Sequence, residues 1–364
     1  MRFPEFTEEW KAEQLDNIAT LSKGIGISKE QLSEDGEPCI LYGELYTKYK
    51  SEIIKQVESK TDINGSKLKR SKANDVIIPC SGETAVDIAT ARCVPFDNIL
   101  FGGGLNVISL HQYDGAFMSY QLNGKRKYDI ARVAQGVSIV HLYGEHLKAI
   151  KTYNPTLPEQ QKIAKLLSLL DDRIDTQNKI IEKLQSLIKG LAAQLTQSGT
   201  PNIRLCDCLE CHSSTLLENC VSVTGSYPVY GATGLIGYTN NYAYNGESIL
   251  IVKDGSGVGS LSYVNDHFSV IGTLNYLTAK ENYSILYLYY ALMAFNFTPY
   301  ITGMAIPHIY FKDYGKAKLF YPSIEKRIRI ASLLHNIEQK LVVEQNLVIS
   351  LSTQKSYLLR MLFI

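Results

Sequence analysis

The stretch Lys162–Leu191, KIAKLLSLLDDRIDTQNKIIEKLQSLIKGL, spaces its apolar residues at alternating steps of four and three. A weaker copy, RIASLLHNIEQKLVVEQNLVISLSTQKSYLL, runs from Arg329 to Leu359. An ordinary amphipathic helix would drift to a period of 3.6 over this length, whereas a heptad seam stays in phase. The pattern therefore predicts two long helices that form a coiled coil. The predicted seam consists of Ile163, Leu167, Leu170, Ile174, Gln177, Ile181, Leu184, Ile188, Ile330, Leu334, Ile337, Leu341, Glu344, Val348 and Leu351, and continues through Lys355 and Leu358.

The two helices belong to a longer internal repeat. Gly136–Leu167, GVSIVHLYGEHLKAIKTYNPTLPEQQKIAKLL, aligns without a gap with Gly303–Leu334, GMAIPHIYFKDYGKAKLFYPSIEKRIRIASLL. The identities include a glycine, a histidine, a tyrosine and a proline at matched positions, and the apolar phase continues beyond them. We predict four parts: a first globular segment (1–152), a central helix (153–198), a second globular segment (199–321) and a distal helix (322–364).

The length of the helices predicts their relative direction. A helix of roughly 38 residues is about 57 Å long. A globular segment of about 120 residues has a radius of gyration of about 14 Å, so it cannot easily connect opposite ends of such a rod. The helices are therefore predicted to be antiparallel, with the two segments related by a pseudo-twofold axis. The expected fold class is α+β, with two strand-rich mixed α/β domains separated by an antiparallel two-helix coiled coil.

Composition sets further limits. The chain has 364 residues, a net charge of +1 and 45% hydrophobic residues, which is typical of a folded protein. It contains neither an apolar run of membrane-spanning length nor the pattern of a signal peptide at MRFPEFTEEWK, so a cytoplasmic location without membrane contact is expected.

The seven cysteines do not follow the spacing of a disulfide framework. A group of them, together with one histidine, lies close in sequence and raises the alternative of a zinc site. Its spacing matches no standard zinc finger, so free thiols and no bound metal are the preferred interpretation. The group consists of Cys206, Cys208, Cys211, His212 and Cys220.

A rigid spacer that carries two related modules suits duplex DNA, whose half-sites recur on one face every ~34 Å. The basic runs Ser66–Lys72 and Gly124–Lys127 are candidates for phosphate contacts, although solvated loops are an equally good explanation. The second segment is rich in tyrosine and glycine, which suits base recognition but also a structural role. The DNA-binding candidates are Tyr42, Lys67, Lys69, Arg70, Lys72, Ser81, Lys125, Arg126, His141, Tyr230, Thr233, Lys253, Ser256 and His308.

The chain lacks the sequence patterns of the enzymes that act on DNA. Gly255–Ser260 has no Lys-Ser/Thr of a phosphate-binding loop, and Phe101–Asn106 is too weak a pattern for a cofactor loop. We find no Asn/Asp-Pro-Pro-aromatic stretch of an amino-methyltransferase, no nuclease carboxylate-lysine pattern and no nucleophilic triad. The expectation is a protein with no catalytic residues and no cofactor of its own.

Three stretches resemble the specificity (S) subunit of Type I restriction–modification systems. RFPEFTEEWKAEQL (Arg2–Leu15) is similar to the start of that family, and NPTLPEQQKIAKLLSLLDDRI (Asn154–Ile174) to its central helix. YPVYGATGLIGY (Tyr227–Tyr238) with GESILIVKDGSGVGS (Gly246–Ser260) resembles a target recognition domain. The distal helix departs from the family, with PSIEKRIRIA in place of P-x-x-E-Q.

The resemblance implies that two target recognition domains read the two halves of a bipartite site in double-stranded DNA. It further implies that methyltransferase (M) subunits, expected to be two, dock on the helices, and that restriction (R) subunits join them. S-adenosylmethionine, ATP and Mg are expected on those partners. The residues alone leave two alternatives, a coiled-coil adaptor with protein-binding ends and a DNA methyltransferase or nuclease in its own right.

Overall fold

Each half of the fold combines a β-rich segment with parts of two long helices. The computed structural model describes residues 2–64 and 67–363. It divides into unit 1, Met1–Asn178 with Asn346–Ile364, and unit 2, Lys179–Gln345. The boundary between the units falls inside both long helices, so each helix contributes one part to each unit.

Unit 1 is built mainly on antiparallel strands. These strands are β1 (Lys11–Gln14), β2 (Ala19–Lys23), β3 (Glu37–Ile40), β4 (Lys60–Thr61), β5 (Lys69–Arg70), β6 (Asp75–Pro79), β7 (Ser81–Gly82), β8 (Arg92–Val94), β9 (Leu100–Phe101), β10 (Leu105–Leu110), β11 (Val140–His141) and β12 (Lys151–Asn154). They form the sheets β2-β10-β6-β8 and β4-β3-β9-β5 and the pairs β1-β12 and β7-β11. Strand β6 is buried along its whole length, which explains why its sequence, DVIIP, is almost continuously apolar.

Short helices pack around these sheets. They are α1 (Leu15–Ile18), α2 (Glu44–Thr47), α3 (Ala85–Ile88), α4 (Gly115–Asn123), α5 (Lys127–Val133) and α6 (Gly144–Lys148). The stretch from Pro38 to Thr47 changes from strand β3 to helix α2 within a few residues. The Glu44 carboxylate accepts a hydrogen bond from Leu41 N at 2.8 Å and so closes the turn that starts α2. Burial of Leu45 then holds this helix against the core.

Unit 2 carries one larger sheet, of order β14-β19-β17-β18-β15-β16, and the pair β13-β20. Its strands are β13 (Ile203–Arg204), β14 (Leu209–Ser213), β15 (Tyr227–Gly231), β16 (Gly234–Thr239), β17 (Tyr244–Val252), β18 (Leu261–Val270), β19 (Leu274–Ala279) and β20 (Lys318–Leu319). The short helices of this unit are α8 (Leu205–Cys208), α9 (Ile285–Met293) and α10 (Phe311–Tyr314). The two long helices, parts of which belong to each unit, are α7 (Leu157–Thr196) and α11 (Ile324–Met361).

The two units share one core plan. The order β2-β10-β6-β8 in unit 1 matches β14-β19-β17-β18 in unit 2, and a nine-residue helix follows the second strand of each order. Both helices begin with a side-chain cap. Asp114 accepts a hydrogen bond from Phe117 N at the start of α4, and Ser284 accepts one from Tyr287 N at the start of α9. The internal repeat therefore extends through the three-dimensional structure.

The long helices pair in opposite directions. In unit 1, Leu167 near the start of α7 lies in one apolar cluster with Leu358 near the end of α11. In unit 2, Ile188 near the end of α7 clusters with Leu334 near the start of α11. The predicted fold class, α+β with an antiparallel pair of long helices, is confirmed. Every seam position is buried or half-buried, from Ile163 to Leu195 in α7 and from Ile330 to Leu362 in α11.

A carboxylate of a long helix anchors the nine-residue helix in each unit. The Tyr120 hydroxyl on α4 donates to Asp171 of α7 at 2.6 Å. On α9, the hydroxyls of Tyr289 and Tyr290 donate to Glu338 of α11 at 2.9 and 2.6 Å, and Glu338 is the repeat equivalent of Asp171. Across the residues that the structure describes, no helix combines the length and apolar character needed to cross a membrane.

Candidate functional site

A short hairpin, Gln135–His141, projects from unit 1 and is called hairpin 1. It is closed by two backbone hydrogen bonds, from Gln135 N to His141 O at 2.9 Å and from His141 N to Gln135 O at 2.7 Å. Gly136 has a φ of 122°, and a Cβ on it would lie 2.1 Å from Ile139 O. Only glycine fits this position, because any side chain would collide with the returning strand.

The equivalent segment of unit 2, Thr302–His308, has the same construction and is called hairpin 2. Thr302 N donates to His308 O at 2.9 Å, and His308 N donates to Thr302 O at 2.8 Å. Gly303 has a φ of 87°, and a Cβ there would lie 2.3 Å from Ile306 O. The glycine and the histidine that frame each hairpin are among the identities of the sequence repeat.

Each hairpin exposes two apolar side chains. In hairpin 1, Val137 is 97% exposed and Ile139 is 60% exposed. In hairpin 2, Met304 is fully exposed and Ile306 is 65% exposed. Two neighbouring, strongly exposed apolar residues at the same place in both units form a feature that folding does not require.

The base of each hairpin pairs with the segment that follows an inner strand of the sheet in its unit, β6 in unit 1 and β17 in unit 2. In unit 1, β11 pairs with β7, and Ser81 Oγ lies 3.1 Å from His141 Nδ1. In unit 2, the loop after β17 fills the same role, with a bridge between Asp254 and His308. Gly255 N donates to Pro307 O at 2.9 Å and completes this support. The hairpins are therefore held at their bases, while the apolar side chains at their tips face solvent.

An aromatic ring and a lysine flank each hairpin. In unit 1 the rings of His141 and Tyr143 stack at 6.2 Å, and Lys23 Nζ lies 5.7 Å from the centre of the Tyr143 ring. In unit 2 His308 meets Tyr310 at 5.1 Å, and Lys312 Nζ lies 5.1 Å from that ring. Both tyrosines are exposed. A cation beside an exposed ring can contact a phosphate while the ring packs against a sugar or base.

The structure gathers several predicted DNA-binding residues at these places. Tyr42 packs against Gly104, whose carbonyl accepts a hydrogen bond from Cys80 N at 2.7 Å, next to Ser81. Tyr42, Ser81 and His141 therefore belong to one neighbourhood in unit 1. In unit 2, Lys253 O accepts a hydrogen bond from Ile309 N, and Ser256 is exposed in the adjoining loop.

The residues of the basic run Ser66–Lys72 differ in their surroundings. Ser66 lies outside the described residues. Lys67 and Lys72 are exposed. Arg70 instead forms two hydrogen bonds with the Glu37 carboxylate, at 2.6 and 3.0 Å, which raise the pKa of Arg70 and lower the pKa of Glu37. A polar cavity that includes Lys69 and Lys72 lies beside this run; its other lining residues are Thr20, Ser22, Ala73, Asn74, Asp75, Ser109, Leu110 and His111.

The remaining candidates have other contacts. Arg126 pairs with Asp129 at 3.3 Å and lies 5.2 Å above the Tyr153 ring, while Lys125 is exposed. Tyr230 is half-buried, and burial raises its pKa. Thr233 is exposed in the turn between β15 and β16.

The cysteine group does not gather around one point. Cys208 is buried and its Sγ donates to Arg204 O at 3.4 Å, while Cys220 is exposed. Burial raises the pKa of Cys208 to about 12 and that of Cys211 to about 11, which opposes the thiolate form that binds zinc. Within residues 2–64 and 67–363, no cluster of three or more His, Cys, Asp or Glu side chains is arranged to hold a metal ion.

Sequence comparison matches this architecture to a known family. The family model of the Type I restriction modification DNA specificity domain matches residues 7–186 and again residues 203–351. The two matches together cover most of the chain. The chain belongs to the Type I restriction–modification specificity family.

Curated relatives agree with this membership over parts of the chain. The Type I restriction enzyme EcoprrI specificity subunit of Escherichia coli is 28% identical over 112 residues, which are 31% of this chain and 28% of that subunit. The Type I restriction enzyme MjaVIII specificity subunit of Methanocaldococcus jannaschii is 26% identical over 201 residues, 53% of this chain and 43% of that subunit. The chain thus matches less than half the length of these specificity subunits.

Solved structures share the fold of this specificity chain. The S subunit of a Type I restriction–modification system from M. genitalium superposes with a TM-score of 0.71 at 18% identity, covering 100% of this chain and 97% of that one. A chain from a structural study of complex assembly and conformational transition of the Type I system gives a TM-score of 0.56 at 14% identity, with 98% and 97% covered.

Proposed function

We propose that this chain is the DNA-specificity subunit of a Type I restriction–modification complex, in which each unit reads one half of a bipartite site. The observation that carries the proposal is the repeated site: the same hairpin, supporting loop and tyrosine occur once in each unit, and in each a lysine lies over the tyrosine ring, from β2 in unit 1 and from α10 in unit 2. A target with two parts, such as a DNA sequence with two half-sites, needs two such sites on one chain.

The chain acts without a catalytic centre of its own in this proposal. Two M subunits dock on the long helices and R subunits join them, while S-adenosylmethionine, ATP and Mg are held by those partners in the cytoplasm. Docking would bury apolar side chains that the helices expose to solvent, and burial of apolar surface stabilises a protein interface. Leu169 and Ile349 provide them in unit 1, and Leu187 and Val343 provide them in unit 2.

Methylome sequencing tests the proposal directly. A host that expresses the cognate M subunit is compared with and without this chain. The expected result is a methylated bipartite motif with a fixed gap that occurs only when the chain is present. A stable complex with the M subunit that produces no motif would instead indicate the adaptor function, and binding of S-adenosylmethionine by the isolated chain would indicate an enzyme.

A further inference from the structure

The apolar side chains at the tips of the two hairpins are not buried by the fold, yet they recur in both units. We infer that the apolar pair of each hairpin, Val137 with Ile139 and Met304 with Ile306, contacts thymine C5-methyl groups in the half-site that its unit reads. This inference rests on the proposed function and names the residues that determine part of its specificity.

The frame and the tip of the hairpins differ in how closely their sequences match between the two units. The frame is identical in both copies, because Gly136 and Gly303 make the same turn and His141 and His308 close it. Three of the four residues between these positions differ, VSIV in hairpin 1 and MAIP in hairpin 2. Two copies of the same M subunit would require the same contact residues twice. Two different half-sites would instead require the same hairpin frame with different contact residues, and this is the observed pattern.

Each hairpin combines an apolar tip with a positively charged side chain near its base. Lys23 lies over Tyr143 in unit 1 and Lys312 lies over Tyr310 in unit 2, and each tyrosine contacts the histidine that closes its hairpin, so a cation lies near the base of each hairpin. A DNA groove presents this complement, with phosphates at its edges and bases at its floor. The major groove admits a two-stranded β-ribbon, and the C5-methyl group of thymine is the apolar feature that each A·T pair displays there.

The base of each hairpin is fixed to the body of its unit. Hairpin 1 is pinned to the Ser81 loop and hairpin 2 to the loop at Asp254–Gly255 by backbone hydrogen bonds. A tip held in this way loses little conformational entropy when it binds, which favours tight contact by a small surface.

The first test changes one hairpin at a time in the assembled complex. The variant Met304→Ser/Ile306→Ser is expressed with the cognate M subunit, and its methylome is compared with that of Val137→Ser/Ile139→Ser. We expect each double variant to relax the motif at A·T positions of one half-site and to leave the other half-site unchanged. Val223→Ser is the matched control, because Val223 is 90% exposed in unit 2 but lies outside the hairpin.

The second test removes the methyl groups from the DNA. Once the motif is known, binding is measured with uracil in place of thymine in one half-site at a time. The wild-type complex should bind about fourfold more weakly for each contacted methyl group that the replacement removes. The matching hairpin variant should bind the uracil and thymine half-sites equally well, because it no longer contacts the methyl groups.

The outcomes separate this inference from the proposed function. If the wild-type chain produces no bipartite motif, the proposed function fails. If the motif forms but the hairpin variants produce the same motif as wild type, only the hairpin inference is overturned. The same holds if uracil replacement weakens DNA binding by the variants as much as it weakens binding by wild type. A half-site made only of G·C pairs would also overturn it. Thermal unfolding of each variant confirms that the exposed substitutions leave the fold intact.

Discussion

Lys355 Nζ lies 2.6 Å from Asp171 Oδ1 and 2.5 Å from Glu52 Oε2, which joins the end of α11 to α7 and to the β-rich segment of unit 1. All three side chains are largely buried. The Lys355 ammonium also lies 5.7 Å above the ring of Tyr120, whose hydroxyl bonds to the same aspartate. The lysine that interrupts the apolar seam is therefore the centre of a buried ionic cluster.

Removing this lysine should destabilise unit 1 strongly. Lys355→Met leaves two buried carboxylates without the cation that bonds to both of them, and breaking such a cluster typically costs about 3 kcal/mol or more. The free energy of unfolding is measured by urea denaturation. Lys165→Met serves as the control because Lys165 is exposed on α7, and we expect a change below about 0.5 kcal/mol. Equal effects of both substitutions would show that the cluster contributes no stability.

The apolar seam between the long helices should also be needed for assembly with the M subunit. Ile181 is half-buried at a seam position of α7, so Ile181→Asp places a charge between the paired helices and should separate them. The chain should then fail to form a complex with the M subunit in size-exclusion chromatography. Lys179→Asp, an exposed position two residues earlier, introduces the same side chain and should assemble normally. Assembly of the Ile181 variant would contradict the role of the helix pair.

The long helices could be predicted from the sequence because their signal is local. Each heptad contributes an independent apolar step, and the observed helices, Leu157–Thr196 and Ile324–Met361, follow the seam closely. The role of Lys355 could not be predicted, since its partner Glu52 lies 303 positions away. The sequence shows only a polar residue in an apolar seam.

The hairpins show a different limit of sequence analysis. The stretch VSIVH reads as a buried strand, and nothing local indicates that Val137 and Ile139 are exposed. The hairpin that carries them is anchored by the pairing of His141 with Ser81, which is 60 residues away. The repeat alignment already paired Gly136 with Gly303, and this glycine match was the available signal that a turn occurs there.

The thiols should differ widely in reactivity. Burial raises the pKa of Cys39 to about 11 and that of Cys93 and Cys208 to about 12, so these thiols carry little thiolate at pH 8. Cys220 is exposed and should react first with a thiol reagent such as DTNB. Cys220→Ser should abolish that fast phase, whereas the three buried thiols should react only after unfolding. A fast phase that survives the substitution would contradict this assignment.

The basic run should contribute unequally to DNA binding by the assembled complex. Because Arg70 is already paired with Glu37, Arg70→Ala should leave the salt dependence of binding unchanged. Lys67→Ala and Lys72→Ala remove exposed charges, and each should lower the slope of log K against log salt by about 0.9 if it meets a phosphate. Binding is measured by fluorescence anisotropy at several salt concentrations. Unchanged slopes for both lysine variants would place this run in a solvated loop.

Exchange of segments with a related specificity subunit tests how recognition is divided along the chain. Replacing residues 205–300 of unit 2 should alter one half-site and leave the other unchanged, because hairpin 1 and its support belong to unit 1. Hairpin 2 begins at Thr302, outside that segment, so this exchange should transfer the new half-site only partly. Extending the exchange to residue 317 includes the hairpin and should transfer the half-site completely, as read from the methylome. A change in both half-sites would contradict the division of recognition between the units. Complete transfer of the half-site by the exchange of residues 205–300 would show that hairpin 2 adds no specificity.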